Sequence, residues 1–192
     1  MPKIIIEDIG RFNHQYPRTA SIVTAQSNGQ SNAMAVAWHT AISFKPPTYG
    51  VAISSVWTTY KLIIESKEFG VNFIPFEAAE KIAAVGGSGG RYIDKFEQFN
   101  LVQDKPAKTS VPILEAAYAA YECRLIDDRP YGDHNMLVGE IVAVHILEEA
   151  FTDESILDLN RISPALFMGI DYYVSPDRHS LKFLDRKVYG RR

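Results

Sequence analysis

The chain has 192 residues, enough for one domain that buries a real core without disulfides or structural metal. Its 20 Lys and Arg against 23 Asp and Glu give a formal charge of −3, which excludes the basic field that a nucleic-acid backbone requires. A single cysteine, Cys123, excludes an internal disulfide framework, and no Cys/His spacing matches a zinc motif, so no metal site is expected.

The N-terminal "MPKIIIEDIGRF" has only a short apolar run before Glu7 and Asp8, too short for a signal-peptide core. No stretch approaches membrane-spanning length. The expectation is a soluble, cytoplasmic protein, one domain over 1–192, with neither nucleic acid nor membrane as partner.

From Thr19 to Gln26 the chain reads "TASIVTAQ", rich in β-branched residues, and Asn28-Gly29 follows as a hairpin signal. The returning strand, "SNAMAVAW", is small or apolar on both faces, as suits a strand with a core on one side and a ligand or second subunit on the other. Pro46-Pro47 is expected to stop regular pairing after "ISFK", and "TYGVAISS" from Thr48 to Ser55 supplies the next strand. "TTYKLIIES" predicts a short helix with Thr58 or Thr59 as its cap. A strand "EFGVNFIP" from Glu68 to Pro75 and a helix "FEAAEKIAAVGG" ending at Gly86-Gly87 come next.

The middle, "GGSGGRYIDKFEQFNLVQDKPAKTSVP", reads as an irregular insertion within the domain and not as a linker. In "EAAYAAYECRLID", Ala119, Tyr121, Cys123 and Leu125 share one strand face. "HNMLVGEIVAVHILEEAF" is a second long strand run, and "ALFMGIDYYVSP" adds one more. Six or seven strands, two or three short helices and no βαβ rhythm predict a mainly β, antiparallel barrel with short α insertions.

Several residues are candidates for chemistry. Thr58, Thr59 and Lys61 stand at a helix start, where free N–H groups and the positive dipole end favour an anion such as phosphate; the alternative is a plain threonine cap with Lys61 in solvent. Asn32, Trp38, His39 and Thr40 flank the small-residue strand, where a flat heteroaromatic ring has room; the alternative is a turn asparagine and a loop histidine. "GGSGG" lacks the Lys-Ser/Thr that a triphosphate loop needs, but Ser88 and Lys95 are candidates to reach a ligand; the alternative is a helix stop and flexible connector.

His134, in "YGDHNMLVGEIVAV", sits at the mouth of a long strand, where its imidazole can approach a bound ring; the alternative is a hairpin histidine satisfied by Asp133. His14, His145 and His179 have no mates at metal or triad spacing, and Asp94 and Glu97 no evident carboxylate partner. Side chains alone look chemically underpowered, which points to a bound cofactor.

In order along the chain, "YPRTASIVTAQSNGQSNAMAVAWHTAISFKPPTYGVAIS", "TTYKLIIESKEFGVNF", "YECRLI" and "GDHNMLVGEI" resemble the flavin reductase-like, FMN-binding split-barrel family, over Tyr16 to Val144. The resemblance implies a six-stranded antiparallel Greek-key split β-barrel that forms a homodimer with FMN near the subunit interface. It places Asn32, Ala33, Met34, Ala35, Trp38, His39 and Thr40 along the isoalloxazine, Ser54, Thr58, Thr59 and Lys61 on the phosphate side, and Asn72 on the adjoining strand. Where flavin reductases of two-component monooxygenases carry a "TANSFTSVS"-like strand, this chain has "NAMAVAWHTAIS", closer to the flavoredoxin-like branch. The implied activity is a flavin-dependent oxidoreductase that takes electrons from NADH, NADPH or a redox partner and passes them through bound FMN to a flavin, ferric complex or protein acceptor; the alternative is a non-enzymatic FMN-binding electron carrier. With no Rossmann fingerprint, a nicotinamide has to meet the flavin directly.

Overall fold

The structure is a computed structural model and describes residues 1–190. Its strands, in chain order, are β1 (Arg18–Thr19), β2 (Ser21–Ser27), β3 (Gln30–Val36), β4 (His39–Phe44), β5 (Pro47–Ile53), β6 (Glu68–Phe73), β7 (Gln103–Asp104), β8 (Ile113–Leu114), β9 (Ala119–Tyr131), β10 (His134–Ile146), β11 (Leu166–Gly169) and β12 (Tyr172–Val174). The helices are α1 (Thr58–Ser66), α2 (Ala79–Gly86), α3 (Lys95–Gln98) and α4 (Arg186–Tyr189). The main sheet is antiparallel and runs β3-β2-β6-β9-β10-β5-β4.

Its two edges, β3 and β4, are joined by Ala37 and Trp38 alone. Two residues let the chain cross at most about 11 Å, so the sheet curls until its edges approach. This is a split barrel. Its main sheet has seven strands, within the six or seven read from the pattern and one more than the resemblance implies, and the double proline does not end the pairing as expected. Pro47 opens β5, a position where a strand tolerates proline, and β4 folds back on it with Phe44 opposite Pro47. The "ALFMGIDYYVSP" segment is likewise a hairpin of β11 and β12, not one strand.

Alternation decides what is buried. Val23 and Ala25 of β2, Val51 and Ile53 of β5, and Phe69 and Val71 of β6 form the barrel core, and Leu62 and Ile63 of α1 are buried in the same cluster. Ala119 and Cys123 are buried in the same core, with Tyr121 and Leu125 packed against it, so the one-face reading of that strand holds. The opposite face of β2 and β3, through Ile22 and Ala33, is covered by Ile82 and Val85 of α2 and Phe96 of α3. The two-sided apolar strand thus finds its second cover within the chain itself, in α2 and in α3 of the middle insertion.

Candidate functional site

Helix α1 begins without a cap. Trp57 occupies the N-cap position in an extended conformation with no side-chain capping bond, so Thr58 and Thr59 are the first helical residues and not the cap expected of them. The first turn holds no acidic residue either, which leaves its N–H groups and positive dipole end without a protein counter-charge. The helix ends where Lys67 turns left-handed, φ 60°, and donates its N–H to the Ile63 carbonyl.

This bare helix start faces β3. Asn32, almost wholly buried, donates from Nδ2 to Thr59 Oγ1 at 3.0 Å. The glycine-rich loop after α2 lies directly on Asn32: a Cβ on Gly90 would stand 2.3 Å from Asn32 Oδ1, so only glycine permits this approach. Lys95 is buried beneath, its Nζ donating to the carbonyls of Ala33 at 3.0 Å and Val85 at 2.6 Å. Burial pulls the Lys95 ammonium down to about 8.

Together these elements enclose a cavity of about 300 Å³, at the lower end of the range for small-molecule sites. Asn32, Met34, Ala35, Thr58, Thr59, Ser88 and Lys95 line it, all of them residues singled out in the sequence. Trp57, Arg91 and Tyr92 also line it and were missed; the charged and aromatic pair directly after "GGSGG" was the available signal. A second hollow of about 190 Å³ continues past Met34 and Ala35 to Trp38, Tyr16 and His134. There the His134 ring lies 4.9 Å from the Trp38 ring, Trp38 Nε1 donates to the Tyr16 hydroxyl at 3.1 Å, and His134 Nδ1 lies 2.8 Å from Asp133 Oδ1.

Other predicted site residues lie elsewhere. Asn72 is fully buried, its amide donating to the Ile22 carbonyl and Thr24 Oγ1 and accepting from Leu114 N–H, so it is a core joint and not a ligand contact. His39 links Tyr49 and Thr19: since the Thr19 carbonyl only accepts, Nε2 carries the proton and Nδ1 accepts from the Tyr49 hydroxyl. Burial lowers its pKa, which favours the neutral ring. Ala33 has no exposed surface and contributes only its carbonyl, to Lys95. Thr40 is exposed on the edge strand β4, Ser54 is half-buried, and Lys61 sits on the solvent side of α1; all three lie outside the lining of the cavity.

Among the described residues no group of three or more His, Cys, Asp or Glu is placed to hold a metal, and no helix is long and apolar enough to cross a membrane. The arrangement suits a molecule with a flat, partly apolar body along β3 and an anionic end at α1. Comparison with known proteins agrees in class. Residues 13–174 match the model of the flavin reductase like domain. The chain is 33% identical over 136 residues to an uncharacterised protein of Pyrococcus abyssi, covering 71% of this chain and 78% of that one. It is 30% identical over 130 residues to a ferric-chelate reductase (NAD(P)H) of Archaeoglobus fulgidus, covering 67% and 76%. Among solved structures, an FMN-binding protein from Thermus thermophilus with bound 1-cyclohex-2-enone superposes with TM-score 0.84 at 28% identity, over 95% of this chain and 99% of that one. Flavoredoxin from Methanosarcina acetivorans gives TM-score 0.84 at 25% identity, over 98% and 100%. The chain belongs to the flavin reductase-like, FMN-binding split-barrel family.

Proposed function

We propose that this protein is an FMN-dependent oxidoreductase that takes electrons from NADH, NADPH or a redox protein and delivers them to a flavin, a ferric complex or a protein acceptor. The observation that carries the reading is the uncapped start of α1 opening into the same cavity as Asn32, Met34 and Ala35. Thr58 and Thr59 present backbone N–H groups to the phosphate there, as helix starts do for anions. Asn32 and Ser88 offer polar groups to the ring edge, while Ala35 and the glycines leave its face room. When bound, FMN supplies the hydride and electron chemistry that no side-chain set here supplies.

His134 is the titratable group at the far end of the groove and is assigned proton transfer, with Asp133 orienting its ring. The ferric-chelate reductase relative motivates the nicotinamide donor and ferric acceptor. A homodimer completes the site: Val56 and Trp57 at the cavity wall are 67% and 50% exposed, and Tyr92 is 83% exposed, so the cavity has an apolar rim for a second copy to cover.

Purified protein titrated with FMN is expected to quench flavin fluorescence at one equivalent per chain; absence of binding overturns the reading. Light scattering that finds a 21.5 kDa monomer still holding stoichiometric FMN removes the shared-site dimer. The likeness to flavoredoxin favours a second reading, a non-enzymatic FMN-binding electron carrier. Anaerobic stopped-flow separates the two: rapid bleaching by NADH or NADPH supports the enzyme, and bleaching only by a redox protein supports the carrier.

A further inference from the structure

The charge of this chain is divided along its length. Residues 178–192 carry six Lys and Arg against one Asp, whereas residues 148–160 carry five Asp and Glu and no Lys or Arg. The two blocks, net +5 and −5, are electrostatic complements. Among the described residues, Lys182 and Arg186 of the first block and Asp153 and Glu154 of the second make no ion pair.

Both blocks also expose apolar side chains. Leu181, Leu184 and Val188 are spaced as one face of a helix, with Lys182 and Arg186 on the other side of that pattern. Only the single turn α4 forms, however, and these three residues and Phe183 stay in solvent, Phe183 at 92% exposure. In the acidic block Ile156, Leu157 and Leu159 line a groove of about 570 Å³ together with Asp153, Glu154 and Asp158. Ile156 is exposed there, as are Ile146 and Leu147 just before the block. Arg178 and Leu181 border the same groove, but none of the later tail residues does.

We infer that residues 181–190 are a docking segment whose seat is the acidic groove of a second copy of this chain, two copies exchanging tails. The single chain leaves the apolar side chains of this segment in water, so their burial needs another molecule. Charge selects which one. Residues 1–177 carry a net −8, which attracts a basic tail from another copy and opposes the approach of the whole protein to an anionic lipid surface. Apolar residues at helical spacing, flanked by bases, suit an apolar groove rimmed by acids, and the segment gains its helix on docking. Exchange about a twofold axis uses both surfaces twice, since each copy gives one tail and one groove. The groove shares no lining residue with the flavin cavity, so the inference does not rest on the function proposed above, and it uses none of Val56, Trp57 and Tyr92 at the cavity rim.

Two double variants of the full-length protein test the exchange. Lys182→Glu with Arg186→Glu reverses the tail, and Asp153→Lys with Glu154→Lys reverses the groove. All four positions are exposed, and circular dichroism matching the wild type keeps misfolding apart. By analytical ultracentrifugation at low salt, each variant alone should self-associate more weakly than the wild type by about tenfold or more, because both tail–groove contacts of its dimer become repulsive. An equal mixture of the two should recover wild-type affinity, since each tail again meets a groove of opposite sign. High salt should shrink the loss. Unchanged self-association of either variant overturns the inference and leaves the cavity-rim dimer standing, and so does a loss that mixing fails to restore, the result expected if the tail docks on its own chain. Sedimentation of the wild type with phosphatidylserine vesicles, abolished by the tail variant whose self-association is intact, assigns the tail to a lipid surface and overturns it equally.

Discussion

Two clusters of backbone N–H groups in this barrel have been treated differently. On the outer side, Ala107, Lys108 and Thr109 direct three successive N–H groups onto the carboxylate of Glu122, at 2.6, 2.8 and 2.7 Å. The Thr109 hydroxyl at 2.8 Å and His145 Nε2 at 2.6 Å complete the set. The anion there belongs to the chain itself and has no exposed surface. At the start of α1 the same kind of donors open into a cavity with neither a capping side chain nor an acidic residue. A satisfied cluster clamps a loop; one left without its anion is a place for an anion from outside.

The largest expected effect breaks the satisfied side. Glu122→Gln leaves several donors facing an amide instead of a carboxylate, and should destabilise the domain by about 3 kcal/mol. In a chain of this size that lowers Tm by roughly 6–12 °C, measurable by calorimetry. FMN affinity should be untouched, since the clamp lies away from the cavity. Burial by itself raises the Glu122 pKa, but bonds from His145, Ala107, Lys108 and Thr109 outweigh it and hold it at about 2. A depressed carboxylate contributes its stability above the unfolded value near 4.5 and loses it as pH falls toward about 2. The wild type should therefore lose stability more steeply than Glu122→Gln across that window; parallel acid-denaturation curves would contradict the clamp.

The clamp also marks the limit of what the sequence makes legible. Asn28-Gly29 announced its hairpin, and both residues take the left-handed φ, 50° and 78°, that such a turn needs. The alternation in β9 and the glycine end of α2 were equally plain, because each is a local rule. Glu122 and His145 are 23 residues apart, and whether they meet depends on irregular register between β9 and β10, including a shift between Ile141 and Ala143. Bulges of that kind leave no sequence mark. The candidate site divides the same way. Asn32, Thr58, Thr59, Ser88 and Lys95 converge, but the polar residue types that bind ligands also serve as core joints, and Asn72 and His39 turned out to be joints.

The next effect tests the open side. Thr59→Val removes the hydroxyl that accepts from Asn32 and adjoins the uncapped turn, so it should weaken FMN by about tenfold to a hundredfold. Thermal stability should fall only modestly, because valine keeps the buried volume. Fluorescence titration with unchanged affinity would mean that the phosphate is held elsewhere.

A smaller effect follows from Lys95, a buried residue that also lines this cavity. Its pKa is pulled down by burial to about 8 from about 10.5, so the folded protein loses that charge as pH rises through about 8. Attraction for a dianionic phosphate should fade over that range, and FMN affinity should drop several-fold between pH 7 and 9. The stability sign is opposite. Over pH 8 to 10.5 the unfolded chain binds more protons at this group, so its burial penalty, full below about 8, is relieved as pH rises. Lys95→Met should flatten the pH dependence of FMN binding; a slope identical to wild type would assign it to another group.

The smallest effect separates position in the chain from position in space. Lys61 stands two residues after Thr59, and reading along the chain suggests that reversing its charge should hurt FMN most. On α1, however, residues two apart do not share a face. Thr59 is buried toward the core and cavity, whereas Lys61 is exposed to solvent and outside the lining. A charge on the solvent side of the first turns acts on the phosphate through water, where salt screens it within about 10 Å. Lys61→Glu should therefore weaken FMN by less than about fivefold, the worth of an exposed pair, and by less again at high salt. Affinities measured at 20 mM and 500 mM salt decide the point. A loss larger than that of Thr59→Val, unchanged by salt, would place Lys61 in direct contact with the phosphate and require α1 to be rotated from the orientation described.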